Sequence, residues 1–167
     1  MNRVFTLEAA LAARNEARLA GRRLVFTNGI FDVLHVGHLD YLERAAVLGD
    51  LLWVGLNDDA SVRTLKGPQR PLVPWADRAR LLAALRPVDA VIGFSERRAD
   101  RLIERLAPDV YVKGGDYTPD TLPEAPTAAR VGAEVVILPF LPGHSTSELI
   151  ATILARYCKP ADKPASA

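Results

Sequence analysis

The feature that most constrains the fold is a set of five short, almost wholly apolar segments, separated by stretches with helical periodicity. The segments are 22–27, 51–56, 90–94, 110–112 and 135–138. Strands that are apolar on both sides predict a parallel sheet covered by helices on both faces. Because crossover connections are right-handed, we expect a doubly wound α/β sheet of five strands in the order 3-2-1-4-5.

This Rossmann-like arrangement places ligands beyond the carboxyl ends of the strands, at the switch point between strands one and four. Helices are expected over about 6–20, 39–48, 75–85, 98–106 and 146–156, with a short helix from Asp58 and a loop over 65–74. The segments that follow strands one and four are therefore the first places to look for a functional site.

The length and charge of the chain narrow its class. At 167 residues it is expected to form one domain over 1–158, followed by a disordered tail over 159–167 that is rich in Pro, Ala and Lys. Its net charge of +1 argues against nucleic acid as a partner. No apolar run approaches the ~20 residues of a membrane span, and the single Cys158 fits a reducing compartment. We therefore expect a cytoplasmic protein without a membrane partner. A homodimer is an alternative to a monomer.

The segment from Thr27 to His38 leads from an apolar strand into a helix and carries two histidines. His35 and His38 are three residues apart, so a helix would set them on one face of its first turn. Free backbone N–H groups and the positive end of the helix dipole favour an anion there. Gly37 removes a side chain that would keep a ligand away from the backbone. The combination predicts a phosphate-binding site.

Two other interpretations of the histidine pair are open. His-x-x-His is half of a zinc site, although neither Cys-x-x-Cys nor a second histidine pair completes the usual four ligands. The imidazoles could also be ordinary, partly buried side chains. The chain has three histidines, and the third, His144, lies near another helix start. Their clustering favours a functional site.

Two further segments carry candidate residues. Lys113 and Asp116 flank paired glycines after strand four, where the lysine can meet phosphate and the glycines let a nucleotide approach the backbone; a turn with solvated charges is the structural alternative. Ser145 and Glu148 form a capping box ahead of the last helix. The hydroxyls and free N–H groups of residues 145–147 also offer a second anion site.

The His-x-Gly-His run at 35–38 resembles the signature of the nucleotidyltransferase superfamily that includes cytidylyltransferases and phosphopantetheine adenylyltransferase. The segment 143–147 is similar to the Gly-x-Ser-Thr-Thr motif of that superfamily, and the likeness spans about residues 22–154. The resemblance implies attack of a phosphate oxygen on the α-phosphorus of a nucleoside triphosphate. Pyrophosphate leaves, and the histidines stabilise charge without forming a covalent intermediate.

The same resemblance assigns roles to basic residues that would otherwise be read as solvated. A mobile loop of the family brings a lysine onto the triphosphate, which favours Lys66 over Arg70. Arg86 stands where the family has an Arg-x-x-Asp stretch before strand three, although it could equally be a cation at a helix end. Mg²⁺ is expected to bridge the phosphate oxygens, with Asp32 as a candidate ligand.

Within the superfamily, the chain most resembles the heptose 1-phosphate adenylyltransferases, which convert D-glycero-β-D-manno-heptose 1-phosphate and ATP to ADP-heptose. The likeness rests on the stretches 65–71, 112–119 and 138–140. Many relatives fuse this domain to a sugar kinase, and here a stand-alone form is expected. Ile30, and Phe140 with Leu141, depart from the glycerol-3-phosphate cytidylyltransferases, which have Thr and Arg-Thr there. That CTP-dependent activity is one alternative, and a non-catalytic nucleotide-binding module is another.

The resemblance and the residue patterns together define the expected site, with ATP and a sugar phosphate as partners. The expected catalytic residues are His35, His38, Lys66 and Lys113. The expected nucleotide-binding residues are Asn28, Gly29, Ile30, Phe31, Asp32, Gly37, Arg86, Gly114, Asp116, Ser145, Thr146 and Ser147.

Overall fold

The computed structural model describes residues 3–118 and 120–158. Its strands are β1 (Val4–Phe5), β2 (Leu24–Gly29), β3 (Leu51–Asn57), β4 (Ala90–Phe94), β5 (Val110–Gly114) and β6 (Glu134–Leu138). Its helices are α1 (Leu7–Leu19), α2 (Val36–Ala46), α3 (Asp59–Lys66), α4 (Trp75–Ala84), α5 (Asp100–Leu106), α6 (Ala125–Arg130) and α7 (Thr146–Tyr157). The tail predicted over 159–167 lies outside the described residues.

The strands form one parallel sheet in the order β1-β4-β3-β2-β5-β6. The prediction of five strands is therefore wrong, because β1 adds a sixth strand at the edge beside β4. The order expected for the other five strands is contained in this sheet. Two residues are too short a run to show strand periodicity, and β1 exists because it pairs with β4 in the folded protein.

Helices cover both faces of the sheet, as the apolar strands predicted. The side chains of α1, α5 and α6 pack on one face around Phe26 and Tyr111, and those of α2 and α4 pack on the other around Val54 and Val112. Every residue of β3 is buried. Burial on both faces explains why the strand sequences are continuously apolar rather than alternating.

Local signals in the sequence set three of the described helix starts. Thr6, Asp58 and Ser145 cap α1, α3 and α7, each accepting a hydrogen bond from a backbone N–H three residues later. The helix that carries the histidines begins at Val36 rather than near Leu39, which makes His35 its N-cap residue. None of the helices in the described ranges is long and apolar enough to cross a membrane.

Candidate active site

A pocket of about 990 Å³ lies at the carboxyl ends of the parallel strands. It is bounded by the turn after β2, the start of α2, the segment after β5 and the segment that leads into α7. Every residue predicted for the site lines this pocket except Arg86. Arg86 is exposed and precedes β4. It therefore lies toward the amino ends of the strands, because a residue that precedes a parallel strand is a full strand length from the carboxyl end of that strand.

The two imidazoles lie almost face to face at the start of α2. Their ring centroids are 3.9 Å apart, and Nδ1 of His38 accepts a long hydrogen bond of 3.4 Å from the His35 N–H. Phe31 packs against His38 with 5.2 Å between ring centroids, and its φ of 46° is a left-handed conformation that non-glycine residues rarely adopt. Such strain persists where surrounding contacts enforce it, and here it accompanies the packing of the Phe31 ring against His38.

Burial makes both histidines weak bases. It lowers the pKa of His38 to about 4, with the neighbouring His35 as a second cause. Burial also lowers the pKa of His35, followed by the nearby His144. Nδ1 of His35 is buried and has no hydrogen-bond partner among the described residues. Both rings are therefore neutral near pH 7.

Gly37 has a second task besides the one that its position in the sequence suggested. A Cβ at Gly37 would lie 2.9 Å from Cβ of His144 and 3.0 Å from its carbonyl oxygen. The glycine therefore admits the segment that leads into α7, not only a ligand. Thr146 closes the same contact by donating a hydrogen bond of 3.4 Å to the carbonyl of Val33. The starts of α2 and α7 are thus held side by side, with both helix N-termini facing one pocket.

Residues 145–147 lie at the start of α7, where the sequence placed a second anion site. The Ser145 hydroxyl accepts a hydrogen bond of 3.1 Å from the Glu148 N–H, so it caps the helix as the capping box predicted. Ser147 is exposed at the pocket wall. The N–H groups of this first turn add to those of α2.

Lys113 is the most buried of the predicted cations. Its Nζ donates a hydrogen bond of 3.2 Å to Oδ1 of Asn28, which also accepts one of 2.7 Å from the Tyr111 hydroxyl. Burial lowers the pKa of Lys113, while the carboxylates of Glu124 and Asp100 raise it. The hydrogen bond to Asn28 holds the ammonium at the junction of β2 and β5. Lys66, in contrast, is the exposed last residue of α3 and not part of a loop as expected.

Asp32 is engaged by the loop after α3 and not placed as a metal ligand. Its side chain is fully buried, and both oxygens accept hydrogen bonds from backbone N–H groups of Leu72 and Val73 at 2.8–2.9 Å. Arg70 adds an ion pair through Nε. The hydrogen bonds from these backbone amides and from Arg70 lower the pKa of Asp32, although burial, the largest single influence, raises it. Asp32 thus fixes the segment that follows Lys66.

The described residues contain no group of three or more His, Cys, Asp or Glu side chains that could hold a metal ion. A zinc site built on the histidine pair therefore lacks further ligands within these ranges. Mg²⁺ commonly keeps several waters and binds mainly through substrate phosphates, so this donor set fits a metal that arrives with a nucleotide.

An apolar wall closes the other end of the pocket. The ring of Phe140, which is 61% exposed, packs over the paired glycines after β5, and a Cβ at Gly114 would lie 2.7 Å from its Cε1. Gly115 has a φ of 124°, which a residue with a side chain adopts only under strain. The glycines therefore allow Phe140 to form a flat surface beside Leu141 and Tyr117. A flat ring of this kind can stack on a nucleobase.

Four charged or amide residues of the pocket were not predicted from the sequence. They are Asn57, Arg97, Arg98 and Glu124. Asn57 ends β3, the two arginines follow β4, and Glu124 comes directly before α6. Asn57 and the arginines could have been found by listing the polar residues that follow each predicted strand, since all parallel strands end at the same edge. No local signal marked Glu124, because α6 is only six residues long and was not predicted.

The sequence model of the cytidylyltransferase-like family matches residues 26–153. The chain is 52% identical over 146 residues to the bifunctional protein HldE of Halorhodospira halophila, and 50% identical over 151 residues to that of Geotalea uraniireducens. The matches cover 87% and 90% of this chain but 31% of each relative, so the chain spans about a third of their length.

A solved structure has the same fold. It is a lipopolysaccharide core biosynthesis protein from Thermoplasma volcanium, with a TM-score of 0.60 and 28% sequence identity. The similarity covers 72% of this chain and 98% of that protein. The region that the two share is therefore nearly the whole of the Thermoplasma volcanium chain.

Proposed function

Because the chain belongs to the cytidylyltransferase-like family, we propose that it is a nucleotidyltransferase that moves AMP from ATP to D-glycero-β-D-manno-heptose 1-phosphate. The products are ADP-heptose and pyrophosphate. Relatives that are about half identical are bifunctional HldE proteins, and a structural neighbour takes part in lipopolysaccharide core biosynthesis. The chain spans one part of those bifunctional relatives, and the proposal assigns it one activity.

The observation that carries the proposal is the meeting of two helix N-termini with a pair of neutral histidines and a fixed lysine. The starts of α2 and α7 supply unpaired backbone N–H groups and the positive ends of two helix dipoles. His35 and His38 add two imidazoles, and Lys113 adds a positive charge. This is an arrangement for a polyanion of triphosphate size, since a single phosphate needs only one such terminus.

The proposed reaction is an in-line displacement that needs positioning and charge stabilisation only. An oxygen of the sugar 1-phosphate attacks the α-phosphorus of ATP, a new P–O bond forms, and the bond to the β-phosphate oxygen breaks. Pyrophosphate leaves with the electron pair. His35 and His38 donate hydrogen bonds to phosphate oxygens whose charge grows during transfer, and Lys113 neutralises the α-phosphate. Mg²⁺ bound with ATP would reduce the charge of the phosphate chain.

The preference for ATP over CTP rests on apolar side chains in the pocket. Ile30, Phe140 and Leu141 line the pocket, and none of their side chains offers a hydrogen bond to a base edge. Such a surface suits adenine, because a purine ring offers more area for stacking than cytosine does. The pocket volume of about 990 Å³ leaves room for an acceptor beside the nucleotide, since it is at the upper end of the usual range for ligand sites.

The test is pyrophosphate release with ATP or CTP and a panel of acceptors that includes heptose 1-phosphate and glycerol 3-phosphate. We expect the highest kcat/KM for ATP with heptose 1-phosphate. A preference for CTP with glycerol 3-phosphate would leave the family unchanged but reject this activity. Nucleotide binding without pyrophosphate release from any acceptor would identify a non-catalytic module.

Two matched variants, one of a lysine and one of an arginine, distinguish a cation at the pocket from a cation elsewhere on the surface. Lys66→Ala removes an exposed cation at the pocket, and Arg86→Ala removes an exposed cation toward the amino ends of the strands. We expect Lys66→Ala to lower kcat by about 10- to 100-fold, because an interaction made mainly in the transition state is lost. Arg86→Ala should leave kcat and KM unchanged. Equal effects of the two variants would remove Lys66 from the proposed mechanism.

A further inference from the structure

Glu124 is a buried carboxylate in the pocket wall that the reaction described above does not use. It is 5% exposed and immediately precedes α6, between Pro123 and Ala125. Its nearest charged partner is Lys113, whose Nζ lies 4.0 Å from Oε1. That separation is too long for a hydrogen bond, and no other side-chain ion pair or hydrogen bond holds this carboxylate within the described ranges. The carboxylate thus keeps unused capacity to accept hydrogen bonds.

The backbone that carries Glu124 is held in place by the two residues before it. Arg98 donates a hydrogen bond to the carbonyl of Pro123 and pairs with Asp100 through Nε at 2.7 Å. Leu122 is 2% exposed and belongs to the core on that face of the sheet. A carboxylate on an anchored backbone, facing a pocket, has the pre-organisation that recognition of a ligand group requires.

The charge of Glu124 identifies the kind of ligand group. A buried carboxylate repels phosphates, so its presence beside a polyanion site needs an uncharged donor to offset its desolvation. Glu124 lies on the α5 and α6 side of the sheet, whereas His35 and His38 lie on the α2 side. Nζ of Lys113 is close to both Glu124 and Asn28, and Asn28 belongs to β2, the strand that leads to the histidines. The side of the pocket away from the histidines is therefore suited to a neutral group with hydroxyl donors.

We propose that Glu124 is a specificity-determining residue that accepts hydrogen bonds from ring hydroxyls of the acceptor sugar, and this rests on the proposed function. The sugar then lies on the Glu124 side of Lys113, and its phosphate reaches past the lysine toward the triphosphate. Hydroxyl donors on a carboxylate form charge-assisted hydrogen bonds, which are among the stronger ones in proteins. Acceptors without a hydroxyl at this place leave the carboxylate buried and unpaired.

A supporting role is the main competing explanation, in which Glu124 only orients Lys113 through their mutual attraction. The two explanations differ in what they do to substrate choice. Loss of orientation would lower turnover for every acceptor alike, whereas loss of a hydroxyl acceptor removes discrimination between sugars that differ in one hydroxyl. A double-substitution cycle over protein and acceptor separates them.

The experiment measures kcat and KM of the wild-type protein, Glu124→Gln and Glu124→Asp with heptose 1-phosphate and with analogues that each lack one ring hydroxyl. Glu104→Gln is the matched control, because Glu104 lies on the surface of α5 in an exposed pair with Arg130. We expect the wild-type protein to lose about 10- to 100-fold in kcat/KM on at least one deoxy analogue, the range for a hydrogen bond to a charged group. Glu124→Gln should discriminate at least five-fold less against that analogue, with KM for ATP unchanged.

Other outcomes overturn the inference. Equal loss on all acceptors, with discrimination intact, would make Glu124 a support for Lys113. Loss of discrimination against 2′- or 3′-deoxy-ATP instead would place the nucleotide ribose at Glu124. If Glu124→Gln does not fold, Glu124→Asp retains the charge but shortens the reach, and unchanged discrimination in that variant would also contradict the inference. Absence of turnover with any sugar phosphate in the wild-type protein would reject the proposed function, and this inference with it.

Discussion

Replacing His38 should change how the stability of the protein depends on pH. Burial, followed by the neighbouring His35, lowers the pKa of His38 from 6.5 to about 4. The unfolded chain therefore binds a proton at His38 in a range where the folded protein does not. Protons thus favour the unfolded state between about pH 6.5 and pH 4, and the free energy of unfolding falls as the pH falls through this window.

The size of the effect follows from the two pKa values. For one side chain with a pKa of 6.5 unfolded and about 4 folded, unfolding should require about 2 kcal/mol less at pH 4.5 than at pH 7. His38→Gln keeps a polar side chain at the start of α2 but cannot take up this proton. The variant should therefore lose about 2 kcal/mol less stability over the same pH interval than the wild-type protein.

Urea unfolding at pH 7 and pH 4.5 measures this difference. Carboxylates also titrate in the interval, so the informative quantity is the change for His38→Gln subtracted from the change for the wild-type protein. His144→Gln is the matched control, because it removes an exposed imidazole from the segment that leads into α7. Equal pH-dependent losses in the wild-type protein and His38→Gln would refute the conclusion that His38 is held neutral by burial.

Three further expectations follow from the site. ATP should bind with net proton uptake near pH 6.5, because an anion bound beside His35 and His38 raises pKa values that burial lowers. Calorimetry in buffers of different ionisation enthalpy measures this uptake, and zero uptake would contradict the expectation. Asp32→Asn should lower the free energy of unfolding by about 1–3 kcal/mol and speed hydrogen exchange at Leu72 and Val73, whose N–H groups donate hydrogen bonds to Asp32. Unchanged exchange would show that Asp32 does not hold this loop. Chelation should abolish activity until Mg²⁺ is restored and leave the fold intact, whereas unfolding by a zinc chelator would favour a structural metal.

The layered architecture and the central residues of the site could be predicted from the sequence because their signals are local. Continuous apolar strands imply burial on both faces, and the capping residues Thr6, Asp58 and Ser145 mark where helices begin. The carboxyl ends of parallel strands lie at one edge of the sheet, so the segments that follow the two strands at the switch point meet there. The sequence therefore predicts one pocket for His35, His38 and Lys113.

Tertiary structure decided the features whose causes are distant in the chain. β1 exists through its pairing with β4, some 87 positions away, and Asp32 is committed to a loop about 40 positions further on. Glu124 enters the pocket only because the Arg98 contact and the buried core hold the segment before α6. Arg86 lies outside the pocket, because its place in a sequence motif does not show which end of the strand faces the site. Local periodicity and capping are properties of neighbouring residues, whereas burial, pKa shifts and pocket walls arise from contacts that form only when the sheet has closed.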